Sequence, residues 1–427
     1  MNKRTIKLGI AVSLAIIIPA IIYLIYDSPI ALAAPFIHKD PNLKVETLVN
    51  GLDSPTSMAF IDNNNILVLE KGGQVRLISN GVLLDNPVLQ VPVDTESERG
   101  LLGIAIMNST KTSGTMINNN NRKYVFLYFT ESNGGDLRNR VYRYDWDPHT
   151  KSLVSNSLIL DLPALPGPNH DGGKLIIGPD HYLYAVIGDL NHRGKLQNII
   201  DGSDPDNTSV IFRVKPDDGS GAPGNPFIND TNIEMHKYYA YGIRNSFGIT
   251  FDPVNGNLWQ TENGPDVYDE INIIKPGSNS GWIKVMGPLS RNRDANIADE
   301  LVNYPGSHYT DPVFSWKNPV AVTGIEFMKS SVLGEKYKNN IFVGDYNNGN
   351  LYYFELNGTR TGIKPEAGLS GLVVDNDDQL SAVTFGTGFG AVSDIKMGPK
   401  DGFLYVLSIN DGTIYKIEPL NHCITNN

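Results

Sequence analysis

The sequence predicts an all-β fold, a six-bladed β-propeller, from three observations. Glycine (42 residues) and proline (26) are plentiful and tyrosine (20) outnumbers phenylalanine (15), a profile of turns and half-buried strands. Beyond Val45 apolar and polar residues alternate in short runs, and no long stretch sustains a helical period. A small or polar lead-in followed by a short apolar strand recurs six times.

Taken in order, those six instances are Ser57-Met58-Ala59-Phe60, Gly103-Ile104-Ala105-Ile106, Lys174-Leu175-Ile176-Ile177, Gly248-Ile249-Thr250-Phe251, Gly324-Ile325-Glu326-Phe327 and Asp394-Ile395-Lys396-Met397. Most precede a second apolar strand within about a dozen residues, as hairpin-built blades require. Asn-Gly, Asp-Gly and Gly-Gly turns punctuate them: Gly72-Gly73, Asn255-Gly256, Asp401-Gly402 and Asp411-Gly412. One unit is too small to bury its own face, so packing neighbours around an axis is the economical solution, against a β-sandwich with internal hairpins as the alternative. The strand at 44–50 is expected beside the C-terminal strands, closing the ring without an exposed edge. Segments 107–122 and 357–388 read as surface loops.

Before the repeats, Lys3, Arg4 and Lys7 precede an apolar run from Leu8 to Tyr26, followed by the small residues Ala31-Leu32-Ala33-Ala34. This is the pattern of a secretory signal, and the run is also long enough to remain as a membrane anchor. The expected organisation is a signal or anchor over 1–34, one propeller over 40–420, and a short tail over 421–427. The expected location is extracytoplasmic, secreted or anchored to the outer face of the membrane. With 35 basic against 46 acidic residues the net charge is −11, which excludes a general nucleic-acid binder. The single cysteine, Cys423, excludes an internal disulfide and cysteine-built metal centres. P-loop, zincin, nucleophile-elbow and dinucleotide-binding motifs are absent.

The densest polar constellation runs from Asn169-His170-Asp171-Gly172-Gly173-Lys174 to Gly188-Asp189. His170 stands just ahead of one strand and Asp189 ends the next, so an antiparallel hairpin would bring them together. A carboxylate partner fixes the imidazole tautomer and raises its basicity, as a general base requires; a structural loop histidine is the alternative. Tyr241-Gly242-Ile243-Arg244-Asn245-Ser246-Phe247-Gly248 leads into a strand in the same way. Arg244 there could stabilise developing negative charge or form a surface ion pair. Thr261 to Asn272 concentrates carboxylates and turn carbonyls, a set suited to calcium although not an EF-hand.

These motifs, H-x-G-G-K-L-x-I-G-P-D ending in G-D at Asp189, G-x-R-N-x-x-G at 242–248, G-P-x-x-x-D-E-I-N at 264–272 and Gly281-Trp282, resemble the glucose/sorbosone dehydrogenase family across most of residues 45–418. The resemblance implies an exported six-bladed quinoprotein that oxidises the anomeric hydroxyl of an aldose to a lactone. Hydride would pass to pyrroloquinoline quinone (PQQ), and an external acceptor would take the electrons. It implies His170 as base, Asp189 as its orienting partner and Arg244 as charge stabiliser. It places Arg244, Asn245 and Thr323 at the cofactor, and Glu98 and Asn169 at the substrate. It implies the carbonyls of Gly264 and Pro265 as ligands of the calcium that polarises the quinone, with Glu270 and Ser280 at a second calcium.

The chain departs from the family pattern in its basic clamp. Asn347, Asn348, Ala391 and Ser393 stand where Lys and Arg residues hold the quinone's carboxylates, and Glu98 and Asn169 replace a Gln and an Asp. Each lost ionic hydrogen bond is worth about 1.5–3 kcal/mol. Lys317, Lys329 and Lys396 are candidate replacements. The family also holds non-catalytic extracellular binding propellers, so a binding role is the alternative function, and a calcium-dependent lactonase a third.

Overall fold

Each of the six lead-in strands becomes the edge strand of a different sheet. The computed structural model describes residues 34–109, 122–294, 296–365, 368–369 and 371–420. The signal or anchor reading, but for Ala34, and the 421–427 tail with Cys423 lie outside these residues. The edge strands are Pro55–Phe60, Leu101–Asn108, Leu175–Ile177, Gly248–Phe251, Val322–Phe327 and Val392–Met397, at the ends of six sheets. They lie beside one another in this order, and Val392–Met397 returns to Pro55–Phe60, so the edges form a closed circle. This is a β-propeller arrangement around a central channel.

The lead-in residues are small and polar for a physical reason. An edge strand leaves carbonyls unpaired on its open side, and these must find donors. Thr56 Oγ1 donates to Leu101 O at 2.6 Å and Ser57 Oγ to Leu102 O at 2.8 Å. Likewise Thr261 Oγ1 donates to Thr323 O at 2.7 Å, Thr323 Oγ1 to Val392 O at 2.6 Å, and Ser393 Oγ to Pro55 O at 2.8 Å. Short hydroxyl side chains thus join neighbouring sheets where their edges converge.

Outward from each edge the strands run antiparallel. Asn65–Glu70 pairs with Gln74–Ser79 across Gly72-Gly73, and Leu175–Ile177 pairs with Leu183–Ile187, as the turn residues predict. Leu183–Ile187 is buried at every position, because neighbouring sheets cover both its faces; hence its unbroken apolar sequence. Aromatic side chains fill the space between sheets. Trp316 is fully buried against Phe314 and Tyr352, with ring centroids 4.8 and 5.2 Å away. Truncating such a residue to Ala costs about 3–5 kcal/mol.

The chain ends close the ring as expected. Leu43–Val49 pairs antiparallel with Thr413–Pro419 and completes the sheet begun by Val392–Met397. Just before it, Phe36–Ile37 pairs with Gly386 and Thr387 of the preceding sheet, so the N-terminal segment joins two sheets. Between the two strands Asp40 accepts from Tyr337 Oη at 2.9 Å and pairs with Lys336 Nζ at 2.8 Å. The reading of 357–388 as a surface loop is corrected. Val373–Val374 pairs with Ser315 and Trp316, a seven-residue helix spans Asp377–Val383, and Thr384–Thr387 is a strand. These elements are too short to show a period; the helix signal was its cap, where Asn376 Oδ1 accepts from Gln379 N at 3.1 Å.

Candidate active site

The His170 loop is shaped by glycines and by what they let approach. His170 itself has φ of +67°, a left-handed conformation that is sparsely populated outside glycine and often marks a functional site. A Cβ at Gly188 would lie 2.4 Å from the carbonyl oxygens of both His170 and Arg244. Only glycine therefore lets the loops carrying His170, Asp189 and Arg244 close on one another. The backbone N–H of Asp189 then donates to Arg244 O at 2.9 Å.

His170 Nδ1–H donates to Asp189 Oδ1 at 2.6 Å, which fixes the neutral tautomer with its lone pair on Nε2. Nε2 has no hydrogen-bond partner among the described residues, and the imidazole side chain is 11% exposed. Asp189 also accepts from Asn191 N at 2.8 Å and, through Oδ2, from the indole Nε1 of Trp282 at 2.6 Å. Trp282 in turn lies under the Arg244 guanidinium, 5.3 Å from ring centroid to Cζ.

Arg244 is held at both ends. Its backbone N–H donates to Glu262 Oε1 at 2.7 Å, and Nη1 donates to Asn263 O at 3.0 Å, while Nε is buried without a partner. Burial lowers its pKa from the usual arginine range, but a guanidinium remains charged. On the other side, Glu98 Oε2 accepts from His170 N at 2.7 Å and from Asn245 Nδ2 at 2.9 Å. Ser97 Oγ donates to Asn169 Oδ1 beside it. Behind the loop, Asn139 Nδ2 donates to Asp171 Oδ1 at 2.9 Å, and burial pushes the Asp171 carboxyl up to about 7.

Of these groups Ser97, Glu98 and Asn263 line a channel cavity of about 390 Å³, within the range of small-molecule sites, whereas His170, Asp189, Arg244, Asn245 and Asn169 are not part of its wall. Glu98, Asn263, Thr323 and Ser393 line it, together with Lys71 and Lys174. Of the sequence-predicted residues, His170, Asp189, Arg244, Asn245, Asn169 and Glu98 are thus brought together, and Thr323 faces the same cavity. Glu270 and Ser280 do not line it and make no hydrogen bond to each other. Glu270 is buried, accepts from Gly287 N at 2.6 Å, and is pushed up to about 7 by burial. Glu262, beside it, is raised well above the carboxylate range by burial and by the charge of Glu270.

The candidate replacement cations are corrected. Lys317, Lys329 and Lys396 do not line the cavity; the latter two pair with Glu326 and, for Lys396, Asp394. Asn347, Asn348 and Ala391 are also absent from its wall. The cavity's cations are Lys71 and Lys174. Lys174 stood inside the histidine motif, and its position at the head of an edge strand was the signal for it. Trp282 was visible as a motif residue, but only the fold brings it to Asp189.

The donor set fits a polar, planar cofactor with an oxygen-liganded cation. Asn245 Oδ1 and Asn263 Oδ1 are buried without partners, as is Arg244 Nε, so two acceptors and a donor are left unsatisfied by the protein, and Asn263 lines the cavity. The carbonyls of Gly264 and Pro265 accept no hydrogen bond from the described residues, leaving oxygens of the kind calcium takes. Among the described residues no cluster of three or more His, Cys, Asp or Glu side chains could hold a metal on its own.

A family model described as Glucose / Sorbosone dehydrogenase matches residues 52–416. Aldose sugar dehydrogenase YliI of Escherichia coli (strain K12) is 27% identical over 395 residues, covering 89% of this chain and 94% of that one. A putative oxidoreductase (glucose dehydrogenase) from Thermus thermophilus superposes with a TM-score of 0.66 at 28% identity, covering 88% of this chain and 99% of that one. The PQQ-bound form of aldose sugar dehydrogenase from Streptomyces coelicolor does so with a TM-score of 0.63 at 25% identity, covering 90% and 99%.

Proposed function

The chain belongs to the glucose/sorbosone dehydrogenase family, and on that premise we propose that it is an exported sugar dehydrogenase, dependent on PQQ and calcium, that oxidises the anomeric hydroxyl of an aldose to a lactone. We read each of the six sheets as one blade of a six-bladed propeller. The observation that carries the functional reading is the His170–Asp189 pair, with Nδ1–H engaged at 2.6 Å and Nε2 free, and the half-buried Arg244 whose carbonyl accepts from Asp189 N.

His170 Nε2 takes the proton of the anomeric hydroxyl as the C–H bond gives up its hydride. Asp189 holds the ring in the productive tautomer and stabilises the imidazolium that forms. Arg244 places a fixed positive charge where negative charge develops, in half-buried surroundings that screen it less than open water. Glu98 and Asn169 face the substrate, while Asn245 and Thr323 face the cofactor. When bound, the quinone supplies a two-electron acceptor and calcium a Lewis acid that polarises it. The carbonyls of Gly264 and Pro265 would hold that calcium, and Glu270 with the carbonyl of Ser280 a second one. An external acceptor then carries the electrons away. The segment 1–34 acts as signal or anchor and delivers the domain outside the cytoplasm.

The test is to add PQQ and calcium to the purified protein and measure cofactor binding and dye reduction on a panel of aldoses. Binding with turnover is the expected result. A second reading, a binding propeller without catalysis, is favoured by the neutral residues Asn347, Asn348, Ala391 and Ser393 at the clamp positions. No PQQ binding at micromolar cofactor with saturating calcium would select that second reading.

A further inference from the structure

Lys174 sits at the head of the edge strand Leu175–Ile177, yet its ammonium reaches other sheets. Nζ lies 2.7 Å from Asp394 Oδ1 and donates to Ser57 Oγ at 3.0 Å. In the circle of six edge strands, Val392–Met397, which carries Asp394, stands three places from Leu175–Ile177, directly opposite. The Lys174 side chain therefore crosses the channel. Its residue is 5% exposed and still lines the cavity.

An ammonium carries three N–H donors, and the described residues satisfy two of these. Asp394 is shared: Lys396 Nζ is 3.1 Å from the same oxygen, and Met58 N donates to the other at 3.0 Å. Burial holds the Lys174 amine down to about 8 even with Asp394 beside it. One shared carboxylate does not offset the loss of water around that charge. The hydroxyls of Thr56, Ser57, Thr323 and Ser393 in the same wall donate to backbone carbonyls, so their protons are already engaged and the lysines are left as the wall's donors to an anion. Lys71 Nζ donates to Ser97 O at 2.5 Å and brings a second positive charge to the wall, whose lining carboxylate is Glu98.

We propose that Lys174 and Lys71 form a carboxylate-binding subsite in the channel, taking the place of the absent basic clamp. This rests on the reading of the channel as a ligand site. The carboxylate could be borne by the quinone or by an acidic sugar, and the test separates the two. Calorimetric titration with PQQ plus calcium, with glucuronate and with glucose is carried out on the wild type, on Lys71→Ala, and on the paired variant Lys174→Met/Asp394→Asn, which removes both buried charges together.

An ionic hydrogen bond lost from a desolvated site should weaken an acid ligand about tenfold to a hundredfold. Glucose binding should not change. A loss beyond fivefold for PQQ in either variant assigns the subsite to the cofactor, and the same loss for glucuronate assigns it to an acidic sugar. Wild type that binds neither acid, or variants that bind both acids within fivefold of it, overturn the proposal. If the paired variant does not fold, Lys71→Ala decides by the same threshold. A wild type that binds glucuronate through the lysines but not PQQ would sink the dehydrogenase reading and keep this subsite. PQQ and glucuronate bound alike by all three proteins would do the reverse.

Discussion

Replacing Asp189 by Asn removes a charge from the centre of the site with almost no change of shape. Asp189 is 3% exposed and accepts from His170 Nδ1 and Asn191 N through Oδ1, and from Trp282 Nε1 through Oδ2. All three partners are donors, and a carboxamide has a single acceptor oxygen. With that oxygen toward His170, the new NH2 group meets the Trp282 indole N–H. With it toward Trp282, the NH2 group meets Asn191 N–H and obliges His170 to accept at Nδ1, moving the ring proton to Nε2. Either orientation leaves a buried donor unpaired, at about 1–3 kcal/mol. For a chain of 427 residues that lowers the thermal midpoint by about 1–3 °C. The second orientation also occupies the nitrogen that must accept the substrate proton. Turnover of the protein loaded with PQQ and calcium, followed by dye reduction, should fall by about 10²–10⁴. Wild-type turnover within threefold, in a variant whose melt shows it folded, would refute the role given to the pair.

His170→Ala should abolish dye reduction yet leave PQQ affinity within about threefold, because the base acts on the substrate proton in the transition state; a collapse of affinity in calorimetry would show the ring to be a cofactor ligand instead. Glu98→Gln keeps a carbonyl acceptor for His170 N and Asn245 Nδ2, so the fold should persist. Removal of the cavity's carboxylate should tighten an anionic ligand on the order of tenfold, and unchanged or weaker PQQ binding would contradict it. Asp171 titrates from the ordinary 3.8 in the unfolded chain to about 7 in the fold, where Oδ2 is buried without a partner. Its neutral acid therefore stabilises the fold fully below about pH 3.8, and that contribution is lost as pH rises through about 7. Asp171→Asn should flatten the decline of the thermal midpoint between pH 4 and 7, and parallel curves for variant and wild type would exclude this account.

Six edge strands, the turns between strands, the closure by both chain ends and the residues that gather around His170 are all legible in the order of the amino acids. Those features rest on local chemistry: period-two alternation, Gly-Gly and Asn-Gly turns, and a small or polar residue leading into each edge strand. The short strands at 373–374 and 384–387 and the helix at 377–383 escaped, since two to seven residues are too few for a period to register. The cationic wall emerges only once the sheets have packed. Lys396 also lies in an edge strand, but it pairs with Asp394 and Glu326 without lining the cavity, whereas Lys174 lines it and crosses the channel to the same Asp394 oxygen. Which way a long side chain runs depends on charges carried by a sheet hundreds of residues away. The same is true of Trp282, whose bond to Asp189 joins positions 93 residues apart. Local sequence sets which backbone turns are open to the chain; only the closed ring brings distant donors to the carboxylates they satisfy.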